Sequence, residues 1–432
     1  MKKSIKYISV ILALVMSLMM FVGCKPDTPD NNDSTDTSDV ADNVDTTPAE
    51  TTAAPTLSDY DGDFAQPTDS ATDVADGNYI DVSEVDAKYR TKLGALTYID
   101  AKAPQMEIGG ITHPESNGGE YYRLDVTQKS TYSQQNSSLA NHTSGVTIRF
   151  RTNASQIQIK ATLRSSSTSY EHFADRGAFG WDVYTGTGTN RVYCGAESQL
   201  ITDPNSIKEI VILPGGYQEV TINLPLYAGI TSLQIGFPAG SKIAPPTERS
   251  YGTICFYGSS ITQGGCVSRP GLSYSNIICR MLNADNMNLG FSGSAKGEQS
   301  IAQYIAKQDI AAFVMDYDYN NTVQGLRDTH YAFYHTVRAA HPDIPIIMVS
   351  RPVYLSECTA EQLERQAIIK QSYDRAVESG DKNVYYVCGN DFFSKEMPDL
   401  YSVDMVHPND LGHYYMAKTI FAVLKPALDT TK

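Results

Sequence analysis

The sequence predicts two folded bodies in tandem: an all-β sandwich, jelly-roll-like, over residues 87–245, then an α/β body with a parallel sheet over 251–428. Three observations carry this. Short alternating runs such as "QIQIKATL" and "EVTINLP" fill the first body, with turn residues between them, the pattern of half-buried strands. From residue 251 apolar runs alternate with helical stretches, which implies a parallel sheet covered on both faces. Ahead of both bodies the composition changes abruptly, and residues 1–86 read as an address and a spacer.

The address comes first. Lys2, Lys3 and Lys6 precede an apolar run from Tyr7 to Val22 that ends at Gly23-Cys24. That is a charged segment, an apolar segment and a small-residue cleavage site. "FVGC" resembles the bacterial lipobox, whose cysteine becomes the lipid-modified first residue of the mature protein. The resemblance implies a signal peptide over 1–24, a lipid on Cys24, and a location on the outer face of the cell membrane. The membrane is then a partner through Cys24 only; the alternative is a plain transmembrane anchor, since the apolar run is close to the length needed to span.

Residues 25–86 hold 17 acidic side chains and one lysine. Taking that −16 and the leader's +3 from the chain's −15 leaves residues 87–432 at −2. The acidity belongs to a spacer too poor in apolar residues to offset its ordering entropy. A nearly neutral body offers no basic patch, so nucleic acid is not an expected partner. Cys255, Cys279 and Cys388 lie in apolar runs and read as small buried residues. No Cys or His cluster has zinc spacing, so no structural metal is expected. Cys266 and Cys358 fall in expected loops, where export permits a disulfide whose pairing sequence does not decide.

In the second body strands are expected near 253–257, 286–290, 311–317, 345–350 and 383–388, and helices near 272–282, 298–308, 324–340, 360–379 and 410–424. "TAEQ", Thr359 to Gln362, reads as a capping box. Open α/β sheets bind their ligands at the carboxyl ends of the strands, and four stretches fall there. "CFYGSSITQGG" (255–265) leaves a strand on a serine pair. "NLGFSG" (288–293) and "MDYDYNN" (315–321) end the next two strands. "VDMVHPNDLGH" (403–413) precedes the last helix. Acyl transfer needs a nucleophile, a base, a group orienting that base and donors for an oxyanion. Each stretch supplies one of these types.

These blocks resemble the GDSL-like or SGNH hydrolases. The resemblance implies a flavodoxin-like body and serine esterase chemistry. Ser260 matches the nucleophile, with Gly258-Ser259-Ser260 in place of G-D-S, Gly293 matches the second block, and Asp404 to His407 matches D-x-x-H. No G-x-N-D occurs; Asn320 fits the asparagine block, with Asn321 or an alignment shifted onto Asp318 as alternatives. "YGSSITQGG…SRPG" is similar to a bacterial subgroup whose N-terminal β-domain carries G-x-D-L-Y, and "GWDVY" (180–184) has Val for Leu. The implied triad is Ser260, His407 and Asp404. The oxyanion would meet the N–H groups of Ser260 and Gly293 and the Asn320 amide, with no cofactor and no metal. The expected substrate is an acetylated carbohydrate or another small ester. The rival reading, favoured by the missing G-x-N-D, is a non-catalytic glycan-binding surface protein on a degenerate hydrolase scaffold.

Overall fold

The computed structural model describes residues 77–164, 171–198, 210–355 and 357–431. The leader, Cys24 and residues 25–76 of the expected spacer lie outside the described residues.

Twelve strands make up the β-rich body among the described residues: β1 (Ile80–Asp81), β2 (Arg90–Leu93), β3 (Leu96–Asp100), β4 (Glu107–Gly109), β5 (Thr147–Thr152), β6 (Gln156–Leu163), β7 (Gly180–Thr185), β8 (Val192–Ser198), β9 (Ile210–Ile212), β10 (Gln218–Asn223), β11 (Ile230–Pro238) and β12 (Lys242–Ala244). One antiparallel sheet runs β1-β12-β5-β10-β7-β8, with β4 also on β5; the other runs β2-β3-β11-β6-β9. Alternation decides which side chains meet. In β6, Ile157, Ile159 and Ala161 are buried, and they share one core with Ile148, Phe150, Val220 and Ile222 of the facing sheet. Short helices α1 (Gln134–Leu139) and α2 (Asp175–Phe179) interrupt the sheets.

The expected spacer ends too late. Residues 77–86 belong to the folded body: β1 pairs with β12, Ile80 opposite Ile243, and Val82 and Val85 are buried in the core. Two valines three residues apart outweigh the acidic composition around them.

The α/β body has five parallel strands, β13 (Thr253–Gly258), β14 (Asp285–Gly290), β15 (Ala312–Asp316), β16 (Ile346–Val349) and β17 (Val384–Val387), in the order β14-β13-β15-β16-β17. Helices α3 (Ser260–Gln263), α4 (Tyr274–Leu282), α5 (Gln299–Ile305), α6 (Val323–Ala340), α7 (Ala360–Glu378) and α8 (Asp410–Thr430) connect and cover them. Both faces are buried, and β13, β15 and β16 read as continuous apolar runs, while β14 carries the buried Asn286 and Asn288. Ile254 and Phe256 face α4 and α8, with Ile278, Met416 and Phe421. Cys255 and Tyr257 face α5, α6 and α7, with Ile301, Phe333 and Ile369. Thr359 and Gln362 form the expected capping box of α7.

Candidate active site

Gly258, the last residue of β13, lies opposite Gly290 of β14 and Asp316 of β15. The three strand ends therefore form one rim, and the segments leaving them converge. No side chain fits at Gly258 or Gly290. A Cβ would stand 2.0 Å from the Asp316 carbonyl oxygen in the first case and 2.2 Å from the Gln263 nitrogen in the second. These glycines let α3 sit directly on the strand ends.

The two serines then separate. Ser259 is the N-cap of α3, its Oγ accepting from the Ile261 N–H at 3.1 Å. Ser260 is the first helical residue, and its Oγ lies 2.9 Å from His407 Nε2. His407 Nδ1 lies 2.8 Å from Asp404 Oδ2, while Asp404 Oδ1 accepts from the N–H groups of His407 at 2.7 Å and Val406 at 3.0 Å. Partial burial raises the Asp404 carboxyl pKa, but the His407 N–H, its imidazole and the Val406 N–H outweigh that and hold it below the usual value. Asp404 thus stays ionised beside the ring. Met405 takes a left-handed φ of 65° to close this turn, and Ser402 Oγ donates to the His407 carbonyl at 3.0 Å.

The second block follows from β14. The Phe291 N–H donates to the Gly258 carbonyl at 2.8 Å, the Ser292 N–H donates to Gln263 Oε1 at 3.0 Å, and Gly293 has φ 69°. Gly293 has room for a Cβ, whose nearest neighbour would be Gln135 Nε2 at 3.5 Å, so its backbone conformation and not space calls for glycine.

The asparagine block resolves in the same terms. Asn320 Nδ2 donates to the Phe291 carbonyl at 3.3 Å, which ties its loop to the Gly293 segment. Asn321 Nδ2 donates to Lys296 O at 2.9 Å and Thr329 Oγ1 at 3.2 Å, and its Oδ1 accepts from the Thr322 N–H. An amide has two N–H donors, so Asn321 is committed to its loop while Asn320 uses one. Asp318 is buried and accepts from the Arg351 N–H at 3.0 Å. Burial pushes its carboxyl up to about 6 against the Arg351 N–H and the charges of Arg351 and Arg365.

The β-rich body reaches this rim, which local sequence does not announce. Tyr227 OH donates to the Ser260 carbonyl at 3.1 Å. Gln263 is fully buried and donates to Leu226 O at 3.0 Å and His142 Nδ1 at 2.9 Å. Burial, then the charge of Arg123, depresses the His142 pKa to about 3, so it is the neutral acceptor this bond needs. The His172 and Phe173 rings stand 5.3 and 5.9 Å from the His407 ring. The two motifs quoted separately above also meet. Asp182 of "GWDVY" is fully buried and accepts from Arg269 at 2.6 Å, the Gly271 N–H at 2.8 Å and Asn223 Nδ2 at 2.7 Å, which pins the "SRPG" turn behind α3. Trp181 is packed in the sandwich core. Cys266 and Cys358 are free thiols, Cys358 donating to Asn390 Oδ1, so the disulfide allowed by their loop positions does not form.

Residues 252–425 match the model of the GDSL-like lipase/acylhydrolase family, and residues 96–243 match that of the GxDLY domain, the N-terminus of SGNH-hydrolase-type esterases. The α/β body belongs to the first and the β-rich body to the second. No curated protein matches the chain. Among solved structures, a Bacteroides ovatus protein described as a GDSL-like lipase is 26% identical, with TM-score 0.67, over 78% of this chain and 98% of its own. The salicylyl-acyltransferase SsfX3 of a tetracycline biosynthetic pathway is 18% identical, with TM-score 0.64, over 76% of this chain and 96% of its own. A family two carbohydrate esterase from Cellvibrio japonicus is 13% identical, with TM-score 0.51, over 78% of this chain and 98% of its own. The last two share the fold.

Proposed function

We propose that this chain is a serine esterase that removes O-acetyl groups from carbohydrates outside the cell, held to the membrane by a lipid on Cys24. The observation that carries the esterase reading is the continuous Ser260–His407–Asp404 chain of hydrogen bonds at 2.9 and 2.8 Å. His407 Nε2 takes the Ser260 proton as Oγ attacks the ester carbonyl, and Asp404 stabilises the imidazolium. The carbonyl oxygen, now negative, is met by the N–H groups of Ser260 and Gly293 and the spare Asn320 amide N–H. Collapse expels the alcohol, which leaves with the proton from His407, and an acyl group stays on Ser260. Water deprotonated by the same nitrogen releases the acid. Carbohydrate as substrate is supported by the fold shared with the Cellvibrio carbohydrate esterase and by an expected tether that leaves the body facing extracellular polymers.

p-Nitrophenyl acetate hydrolysis tests the reaction and acetate release from acetylated polysaccharides tests the substrate. Ser260→Ala should abolish both without lowering Tm. Ser259→Ala should keep most turnover and lose about 1 kcal/mol of stability as its cap is removed. Equal loss of turnover in the two variants would overturn the assignment.

A further inference from the structure

We propose that His172, Cys266 and His407 form a site for a zinc-class divalent ion that arrests the esterase. The inference rests on the reading of His407 as the base. The ligand atoms of the three residues lie within 4.8 Å of one another, the one such trio of His, Cys, Asp and Glu groups among the described residues. They come from three segments far apart in sequence, and one of them is in the β-rich body. The His172 and His407 rings are 36° from parallel, and His172 Nε2 stands 3.7 Å from Asp404 Oδ2. Cys266 holds a left-handed φ of 71°, one of three non-glycine residues to do so among those described.

Two imidazoles and a thiolate are the donor set of zinc, with bonds of about 2.0–2.3 Å that put ligand atoms about 3.3–3.8 Å apart. Closing the present spread takes about 1 Å. The His172 side chain, one-third exposed, has the freedom to supply it. Three protein ligands leave the fourth position open to water, the pattern of an ion that exchanges. On binding, the Cys266 S–H bond breaks, its proton goes to solvent, and sulfur donates the freed pair to the metal. The Asp404 carboxylate beside the trio offsets part of the ion's charge. Burial and the Asp404 charge push the Cys266 thiol up to about 12, and that proton must be displaced.

Inhibition follows from the bonding of His407. One of its nitrogens faces Ser260 and the other faces Asp404. A metal on either one removes a bond of the proton relay, and the ring no longer accepts the serine proton.

Cobalt(II) added to the metal-free full-length protein reads the site without turnover, through its thiolate charge-transfer band. Zinc added during p-nitrophenyl acetate hydrolysis reads the consequence. The wild type should show the band and lose turnover, with recovery on chelation. Cys266→Ser should lose the band, keep metal-free turnover, and need at least 10- to 100-fold more zinc for inhibition, the loss that follows removal of even an outer partner. His172→Gln should keep the band and bind more weakly. Cobalt binding without a thiolate band, or equal zinc sensitivity in wild type and Cys266→Ser, overturns the proposal. Absence of turnover in metal-free wild type instead overturns the esterase reading and with it the arrest, while the cobalt band separately decides the site.

Discussion

Asn320 and Asn321 are adjacent and chemically identical, and their hydrogen bonds divide the work. Asn321 spends both amide protons and its carbonyl on loop partners. Asn320 spends one proton on Phe291 O and keeps one. Asn320→Ala should therefore lower kcat by roughly 100- to 1,000-fold with little change in KM, since an oxyanion donor acts as charge develops. Asn321→Ala should lower Tm and leave kcat nearly intact. Steady-state kinetics and thermal melts on both variants check this; a kcat loss confined to Asn321→Ala would move the donor by one residue. The sequence points to Ser260, Gly293, Asp404 and His407 at one rim because each lies in a stretch with its own turn chemistry. It left the asparagine open because the choice depends on Lys296, Thr329 and Phe291, none of them adjacent in sequence.

Asp316 ends β15 beneath α3, where its Oδ2 accepts from Thr262 Oγ1 and Tyr274 OH, each at 3.0 Å. Burial first, then Asp318, raises its carboxyl from 3.8 to about 8, against those two hydrogen bonds. The folded protein thus keeps a proton that the unfolded chain releases above 3.8. Between about 4 and 8 the folded state binds more protons, so stability falls as pH rises through that window and levels off above it. Asp318, raised to about 6, adds a slope of the same sign over the lower part. Asp316→Asn should flatten the pH dependence of the urea midpoint between 6 and 8 and leave the lower part sloped. An unchanged slope in that upper range would mean Asp316 is ionised in the folded state.

Element by element, β13, β15 and β16 are legible from continuous apolar runs, and β6 and β10 from alternation. β7 is visible only as a motif, and β1, β2, β3, β4, β8 and β12 fall outside the alternating runs. β2 is mostly exposed, and β1, β4 and β12 span two or three residues, too short for any period to register. The four-residue α3 was missed for the same reason. What joins the elements was the least legible, as with Asp182 and Arg269, 87 positions apart. Asp182→Ala should cost about 3–5 kcal/mol, because it leaves the Arg269 charge without its buried partner. Asp182→Asn, which keeps an acceptor for the Gly271 N–H, should cost less. Urea unfolding of both variants measures the difference, and equal midpoints would show that the latch contributes no charge pairing.

At the scale of the whole molecule the folded body begins earlier than composition suggests, and that gives two truncations opposite expectations. Residues 25–76 are acidic and poor in apolar side chains, the composition of a spacer that sets reach and not chemistry. Deleting them should leave kcat and Tm unchanged on a soluble ester. Extending the deletion to residue 86 removes β1 from its place on β12 and takes Val82 and Val85 from the sandwich core. Each buried valine is worth about 1.5–3 kcal/mol. The longer deletion should therefore lower Tm by several degrees while the Ser260–His407–Asp404 geometry, built on the other body, keeps its turnover below the melting range. Thermal melts and p-nitrophenyl acetate kinetics on the two truncations read both effects. A fall in kcat on removing 25–76 alone would mean that the acidic segment touches the rim and belongs to the site.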